Sequence, residues 1–150
     1  MQLSADGLAL LKQSEGFRST VYLDAAGLRT IGYGHSMLPV ETFPLGITEA
    51  EATAILSKDV AIAEGVVSRL VRVPLTQGQF DALVDFTFNL GVKALASSTL
   101  LKDLNAQQYA AAAQQLLLWD HVGLKESPVL KTRREAEYQL WTGRAPEKGA

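Results

Sequence analysis

Apolar residues recur along most of the chain at the three-to-four-residue spacing of helices that bury one face. Leu8 and Leu11 give the first stripe, with Ser4 placed to cap its start, Asp6 in its first turn and Gly16 just past its end. A helix from Ser4 to Ser14 is predicted. Between residues 17 and 35 the pattern changes. Phe17, Val21, Tyr22, Ile31 and Tyr33 favour strands, and Ala26-Gly27 lies between them as a turn. A small antiparallel sheet or hairpin is expected. Its second arm ends in Gly32-Tyr33-Gly34-His35, where two glycines let the backbone approach another group closely.

Pro39, Pro44 and Gly46 mark residues 36–47 as a loop. Thr48-Glu49-Ala50-Glu51 is then a capping box opening a long helix. Ile55, Leu56, Ile62, Ala63, Val66, Val67 and Leu70 form its expected buried stripe, and it ends near Arg69 to Val71, before Pro74. About 20 helical residues span roughly 30 Å, enough to join two lobes. Thr76-Gln77-Gly78-Gln79 is a second capping box, and Phe80, Leu83, Val84, Thr87 and Phe88 follow as a core helix closed by Asn89-Leu90-Gly91. A short helix from Thr99 to Leu104 is expected next. After it comes an alanine-rich helix from Asn105 to about Leu118, with Tyr109, Leu116 and Leu117 facing inward. Residues 120–126 read as a polar loop. Ser127-Pro128 starts a last helix that runs to Trp141 and ends at Thr142-Gly143. The fold class is α+β, mainly α, with one short β region near the N-terminus. A disordered tail is expected only after Gly143.

The chain of 150 residues suits one domain, possibly of two lobes, and at 47% hydrophobic it can bury a real core. Its 14 basic and 16 acidic side chains give a net charge of −2. That argues against a nucleic-acid partner, which calls for a basic face or stripe. Lys125, Lys131, Arg133, Arg134 and Arg144 make the C-terminal end locally basic, either as a solvated helix face or as a contact for an anionic substrate. The absence of cysteine excludes thiol nucleophiles and disulfides. No apolar run reaches the ~18 residues of a membrane span, and the N-terminus lacks a signal-peptide pattern. Action outside the cytoplasm would then need delivery by another factor. His35 and His121, the two histidines, have no ligand spacing to carboxylates, so no metal and no cofactor is expected. No G-x-S-x-G elbow is present.

Three polar residues fall in or beside the β region: Glu15, Asp24 and Thr30. Glycoside cleavage needs a protonated acid at the leaving oxygen and a second carboxylate as base or nucleophile. Glu15 lies at a helix C-terminus, where the dipole disfavours its charged form by about 0.3–1 kcal/mol. Asp24 lies at a strand end entering a turn, where it can stay hydrated and ionised. Environments that differ in this way can split two carboxyls into an acid and a base. Taken alone, however, the same residues read as a surface acid, a turn aspartate and a strand threonine.

The spacing Glu-x8-Asp-x5-Thr, followed at once by Ile31-Gly32-Tyr33-Gly34-His35, resembles the phage-type lysozymes, glycoside hydrolase family 24. Further blocks look like that family in order: Glu15-Gly16-Phe17, Tyr22-Leu23-Asp24, Leu75-Thr76 with Gln79 to Leu83, Phe86-x-Phe88-Asn89-Leu90-Gly91, Ser98 to Leu101, and Arg133-Arg134-x-x-Glu137. The resemblance covers nearly the whole chain. It implies a β-hairpin lobe, about residues 15–60, and a helical lobe, about 70–143 plus the N-terminal helix, with the cleft between them. It implies cleavage of the β-1,4 bond between N-acetylmuramic acid and N-acetylglucosamine in peptidoglycan, as a monomer without stable membrane insertion. Glu15 would be the general acid, Asp24 the carboxylate that activates water, and Thr30 the partner of that water. This arrangement is usually inverting, with retention through a covalent intermediate on Asp24 as the other route.

The resemblance also pairs His35 with Asp59, a structural role. It places Gly34, Phe88 and Asn89 at the substrate, and sets Arg133 or Arg134 against Glu15. Phe88 reads equally as core packing, and the arginines as surface partners of Glu135 or Glu137. Pro128 to Thr132 depart from the family's usual Gly-Leu before the double arginine, which leaves the seat of the last helix open. The rivals are a lytic transglycosylase, a non-catalytic glycan-binding module on the same fold, and a small helical DNA-binding domain. The intact Glu15, Asp24 and Thr30 set argues against the first two, and the slightly acidic charge against the third.

Overall fold

The computed structural model describes residues 1–144 and 146. Residues 145 and 147–150, most of the expected tail, lie outside the described residues. Helix α1 (Ala5–Glu15) starts where Ser4 accepts a hydrogen bond from the N–H of Gly7, and its C-cap Gly16 donates to the carbonyl of Lys12. Its last residue is Glu15. A three-stranded antiparallel sheet follows: β1 (Arg18–Leu23), β2 (Arg29–Gly32) and β3 (His35–Ser36), in that order across the sheet. Thr30 stands opposite Tyr22 on one side and Ser36 on the other, and Ile31 opposite His35. The register slips between Arg18 and Tyr22, a bulge-like irregularity that bends β1.

Helix α2 (Glu49–Leu70) opens on the capping box at Thr48 and Glu51 and runs 22 residues. Its buried face is Ala52, Leu56, Val60, Ala63, Val66 and Val67. Ile62, expected in this stripe, is 71% exposed. Position 62 is one residue before Ala63 and so about 100° round the helix from it, which turns Ile62 towards a cavity. Helix α3 (Gln77–Leu90) opens on the second capping box and ends at Gly91. It packs against α1, α2 and α7 (Pro128–Thr142) and is the centre of the core. Phe80, Leu83, Val84 and Phe86 are almost wholly buried there, with Leu100, Leu104 and Leu116 from the helices around them. Burial of one such side chain stabilises the fold by about 1.5–3 kcal/mol.

The segment between α3 and α7 differs most from expectation. A short helix, α4 (Val92–Ala96), follows Gly91, and α5 (Thr99–Asn105) is as expected. The alanine-rich helix α6 spans only Tyr109–Leu116, because Gln107 takes a positive φ of 61° that breaks continuity with α5. Leu116 is buried, whereas Tyr109 and Leu117 are half-buried. Residues expected as a polar loop form a small hairpin, β4 (His121–Val122) with β5 (Lys125–Glu126) around Gly123. The basic end of the chain divides: Lys125, Lys131 and Arg144 are exposed, as a solvated face requires. Arg133 and Arg134 are buried, 7% and 0% exposed, rather than on a solvated face.

Candidate active site

Glu15 is positioned by the end of α1 and by α7. Its Oε1 accepts a 2.8 Å hydrogen bond from Nη1 of Arg133. Arg133 also donates from Nε to Oδ2 of Asp85 (2.9 Å) and from Nη2 to Oδ1 (3.0 Å). That is a bidentate pair of the kind only a planar guanidinium makes. Asp85 is fully buried on α3. Burial works against the charge on Arg133, but Asp85 first and then Glu15 outweigh it and raise its pKa. Of the two candidate arginines, Arg133 therefore faces Glu15. Arg134 donates instead to Oδ1 of Asn89 (2.7 Å) and Oε1 of Glu137 (2.8 Å), and lies over the Phe86 ring. Neither arginine makes the surface pair weighed from the sequence, since Glu137 is itself fully buried. Burial pushes the Glu137 carboxyl well above the usual carboxylate range.

The other oxygen of Glu15 lies against Gly34. A Cβ at residue 34 would stand 2.5 Å from Oε2 of Glu15, and Gly34 has a φ of +70°. The close backbone approach read from the glycine pair is thus an approach to Glu15.

Asp24 is held differently. It follows β1, and its Oδ1 accepts the N–H groups of Ala26 and Leu28, both at 2.9 Å, while its own N–H donates to the Leu28 carbonyl. This is an Asx turn, fixed by five consecutive residues. Thr30 is buried at the start of β2, and its hydroxyl donates to the Leu28 carbonyl at 2.9 Å. Tyr22 lies near enough to both carboxyls to feel their charge. Burial, then Glu15, and after it Asp24, raise its pKa, against the Arg18 guanidinium stacked 4.5 Å from the ring.

His35 sits between two carboxylates. Nδ1 is 2.7 Å from Oδ2 of Asp59, and Nε2 is 3.0 Å from Oε1 of Glu41. Burial works against the imidazolium, but Asp59 and Glu41 together outweigh it and raise its pKa. The Leu38 N–H and then His35 lower that of Glu41. The pairing with Asp59 is present, and Glu41 is a partner the sequence reading missed. Nothing in the loop pattern marks it.

A cavity of about 340 Å³ lies between the sheet and the helices, with Gly34, His35 and Asp59 on one wall and Ile62, Thr87 and Phe88 on the other. Phe88 is half-buried and lines it, so the cavity rather than the core takes that side chain. Asn89 does not line this cavity. It borders a second one of about 500 Å³ with Ser14, Val129 and Arg133. Glu15 touches the linings of both cavities, with Oε2 at Gly34 of the first and Oε1 on Arg133 of the second. No group of three or more potential metal ligands occurs among the described residues.

Glu15, at a helix end against Gly34 of the first cavity, and Asp24, on a turn, are the acid and second carboxylate that glycoside cleavage calls for; neither Asp24 nor Thr30 lines either of these two cavities. The phage lysozyme family matches residues 12–137. The endolysin of Salmonella phage P22 is 41% identical over 144 residues, 94% of this chain and 98% of that protein. Among solved structures, the endolysin of Escherichia coli O157:H7 phage FAHEc1 superposes with a TM-score of 0.87 at 35% identity, over 98% of each chain. The muramidase domain of SpmX from Asticaccaulis excentricus gives 0.87 at 33% identity, over 94% of this chain and 97% of its own. This chain belongs to the phage lysozyme family and is a glycoside hydrolase.

Proposed function

We propose that the protein cleaves the β-1,4 bond between N-acetylmuramic acid and N-acetylglucosamine in peptidoglycan, by inversion, with Glu15 as acid and Asp24 as base. The observation that carries this reading is the holding of Glu15. One oxygen is fixed by Arg133, and the other is left at the Gly34 backbone beside the cavity. Oε2 then gives its proton to the bridging oxygen as the C1–O bond breaks. A water oxygen bonds to C1 from the opposite face, and its proton passes to Asp24. Thr30 commits its own proton to Leu28 and keeps its lone pairs as acceptors for that water. Gly34, Phe88 and Asn89 take roles at the substrate in this reading, and His35 with Asp59 holds the sheet to α2.

The same reading takes the chain as one lysozyme-like domain. A lobe of about residues 15–60 faces a lobe of about 70–143 plus α1. It acts as a monomer, without a nucleic-acid partner. No helix among the described residues is long and apolar enough to cross a membrane. We place its synthesis in a host cytoplasm and its action at the cell wall after delivery by another factor.

Mass spectrometry of fragments released from purified peptidoglycan tests the reaction. Reducing N-acetylmuramic acid ends are expected, and Glu15→Gln should fold but release at least ~100-fold less, because an amide cannot donate the proton. Anhydro ends would mean a transglycosylase and would remove Asp24 and Thr30 from the chemistry. No release from folded protein would mean a binding module.

A further inference from the structure

We infer that Asp85 is a positioning residue for the reaction, acting through Arg133 to orient Glu15 and to balance the charge of the guanidinium beside it. The inference rests on Glu15 being the acid. A guanidinium beside a general acid is a contradiction unless its charge is balanced, because a nearby cation favours the carboxylate over the proton-bearing form. Here the balance is built into the core. Asp85 takes two of the three Arg133 donors used, at 2.9 and 3.0 Å, and shares the buried interior with it at 0% exposure. Only Nη1 is left for Glu15. The bidentate pair stands behind Glu15, and Glu15 receives its hydrogen bond from a guanidinium already held by a carboxylate.

No other group around Glu15 can take this role. From the sheet, Tyr22 feels the charge of Glu15, with Arg18 and Asp24 beside its ring. From α1, Lys12 is turned to Glu49 at 3.3 Å. From α2 and the loop before it, Asp59 and Glu41 are bonded to His35. On α7, Arg134 and Glu137 form a 2.8 Å pair and both face Asp85, whose charge favours the Arg134 cation and disfavours the Glu137 carboxylate. From α3, Asp85 alone reaches Arg133 among the described residues.

The sequence carried a trace of this. Asp85 interrupts an apolar run, Leu83-Val84-Asp85-Phe86, on a helix that is otherwise core. A buried carboxylate needs a charged or hydrogen-bonding partner.

The test is the pH dependence of kcat for peptidoglycan solubilisation by Asp85→Asn, whose amide keeps the shape and loses the charge. The alkaline limb of the profile reports the acid. With Arg133 unbalanced, that limb should move about one pH unit or more towards acid. Activity near neutrality should fall about tenfold while activity below the shifted limb largely survives. A uniform loss at every pH would reduce Asp85 to a structural residue and overturn the inference. Because removing one member of a buried pair can unfold a protein, a double variant, Asp85→Leu with Arg133→Met, is measured beside it. It buries no lone charge and is the kind of replacement that folds. Its limb should stay near that of the natural protein while kcat falls at least about tenfold through lost orientation of Glu15. Full kcat in the double variant would overturn the inference independently. Glu15→Gln separates the two readings. If it stays active, the acid has been misassigned and the inference about Asp85 falls with it; if it is inactive and the Asp85→Asn limb does not move, the inference alone falls.

Discussion

The two carboxyl groups of the site are held by opposite means. Asp24 is fixed by residues at most four positions away, through backbone N–H groups of its own turn. Glu15 is fixed by Arg133, 118 positions away, which is itself held by Asp85 in the core. The first arrangement leaves its carboxylate half-exposed and costs the fold little. The second draws charged groups into the interior, where each must be matched. The seat of Glu15 therefore depends on the packing of α1, α3 and α7 together, and that of Asp24 on five residues of chain.

The buried pair next to Arg133 should show the largest effect. Arg134 and Glu137 are both 0% exposed in their side chains, with one 2.8 Å bond between them. Two further nitrogens of Arg134 have no hydrogen-bond partner there. Glu137→Ala leaves that guanidinium with Asn89 alone as a hydrogen-bond acceptor and opens a cavity. A loss of about 3–5 kcal/mol is expected, measured by urea unfolding. A loss below about 1 kcal/mol would mean that the helical side tolerates an unmatched buried polar group, and the contrast with the turn side would fail.

A smaller, pH-dependent effect is expected at the junction of the sheet with α2. His35 is raised in pKa by Asp59 and Glu41 against the effect of burial. The linkage has a fixed sign: a raised histidine stabilises the fold fully below its unfolded pKa, about 6.5, and that stability fades as pH rises through the folded value. Asp59→Asn should therefore cost about 1 kcal/mol near pH 5.5 and much less near pH 9. Equal losses at both would show that the pair acts by packing and not by charge.

What could be read in advance follows the same division. The Asp24 turn, the two capping boxes and the strand pattern are local, so their residue types announce them. The seat of Arg133 is not local. Adjacent arginines on α7 point about 100° apart, and no periodicity says which of them meets Glu15. Ile62 misled because an apolar residue beside a buried stripe can equally line a cavity. The break at Gln107 was hidden because a positive φ at a residue other than glycine leaves no mark in composition. The β4–β5 hairpin was missed because strands of two exposed residues carry no alternation to read.

The smallest expected change in stability is the most telling about the turn. Asn in place of Asp24 keeps Oδ1, so it can accept the same two N–H groups from Ala26 and Leu28. Asx turns form with either residue. Asp24→Asn should then change stability by less than about 0.5 kcal/mol, whereas Asp24→Ala loses both bonds and should cost about 1–2 kcal/mol. If Asp24 takes the proton from water, both variants should lose activity alike, by at least ~100-fold. Thermal melts and fragment release measured on the pair would separate scaffold from chemistry at one residue. Activity retained by Asp24→Asn but lost in Asp24→Ala would make Asp24 a turn residue only, and the water would need another base.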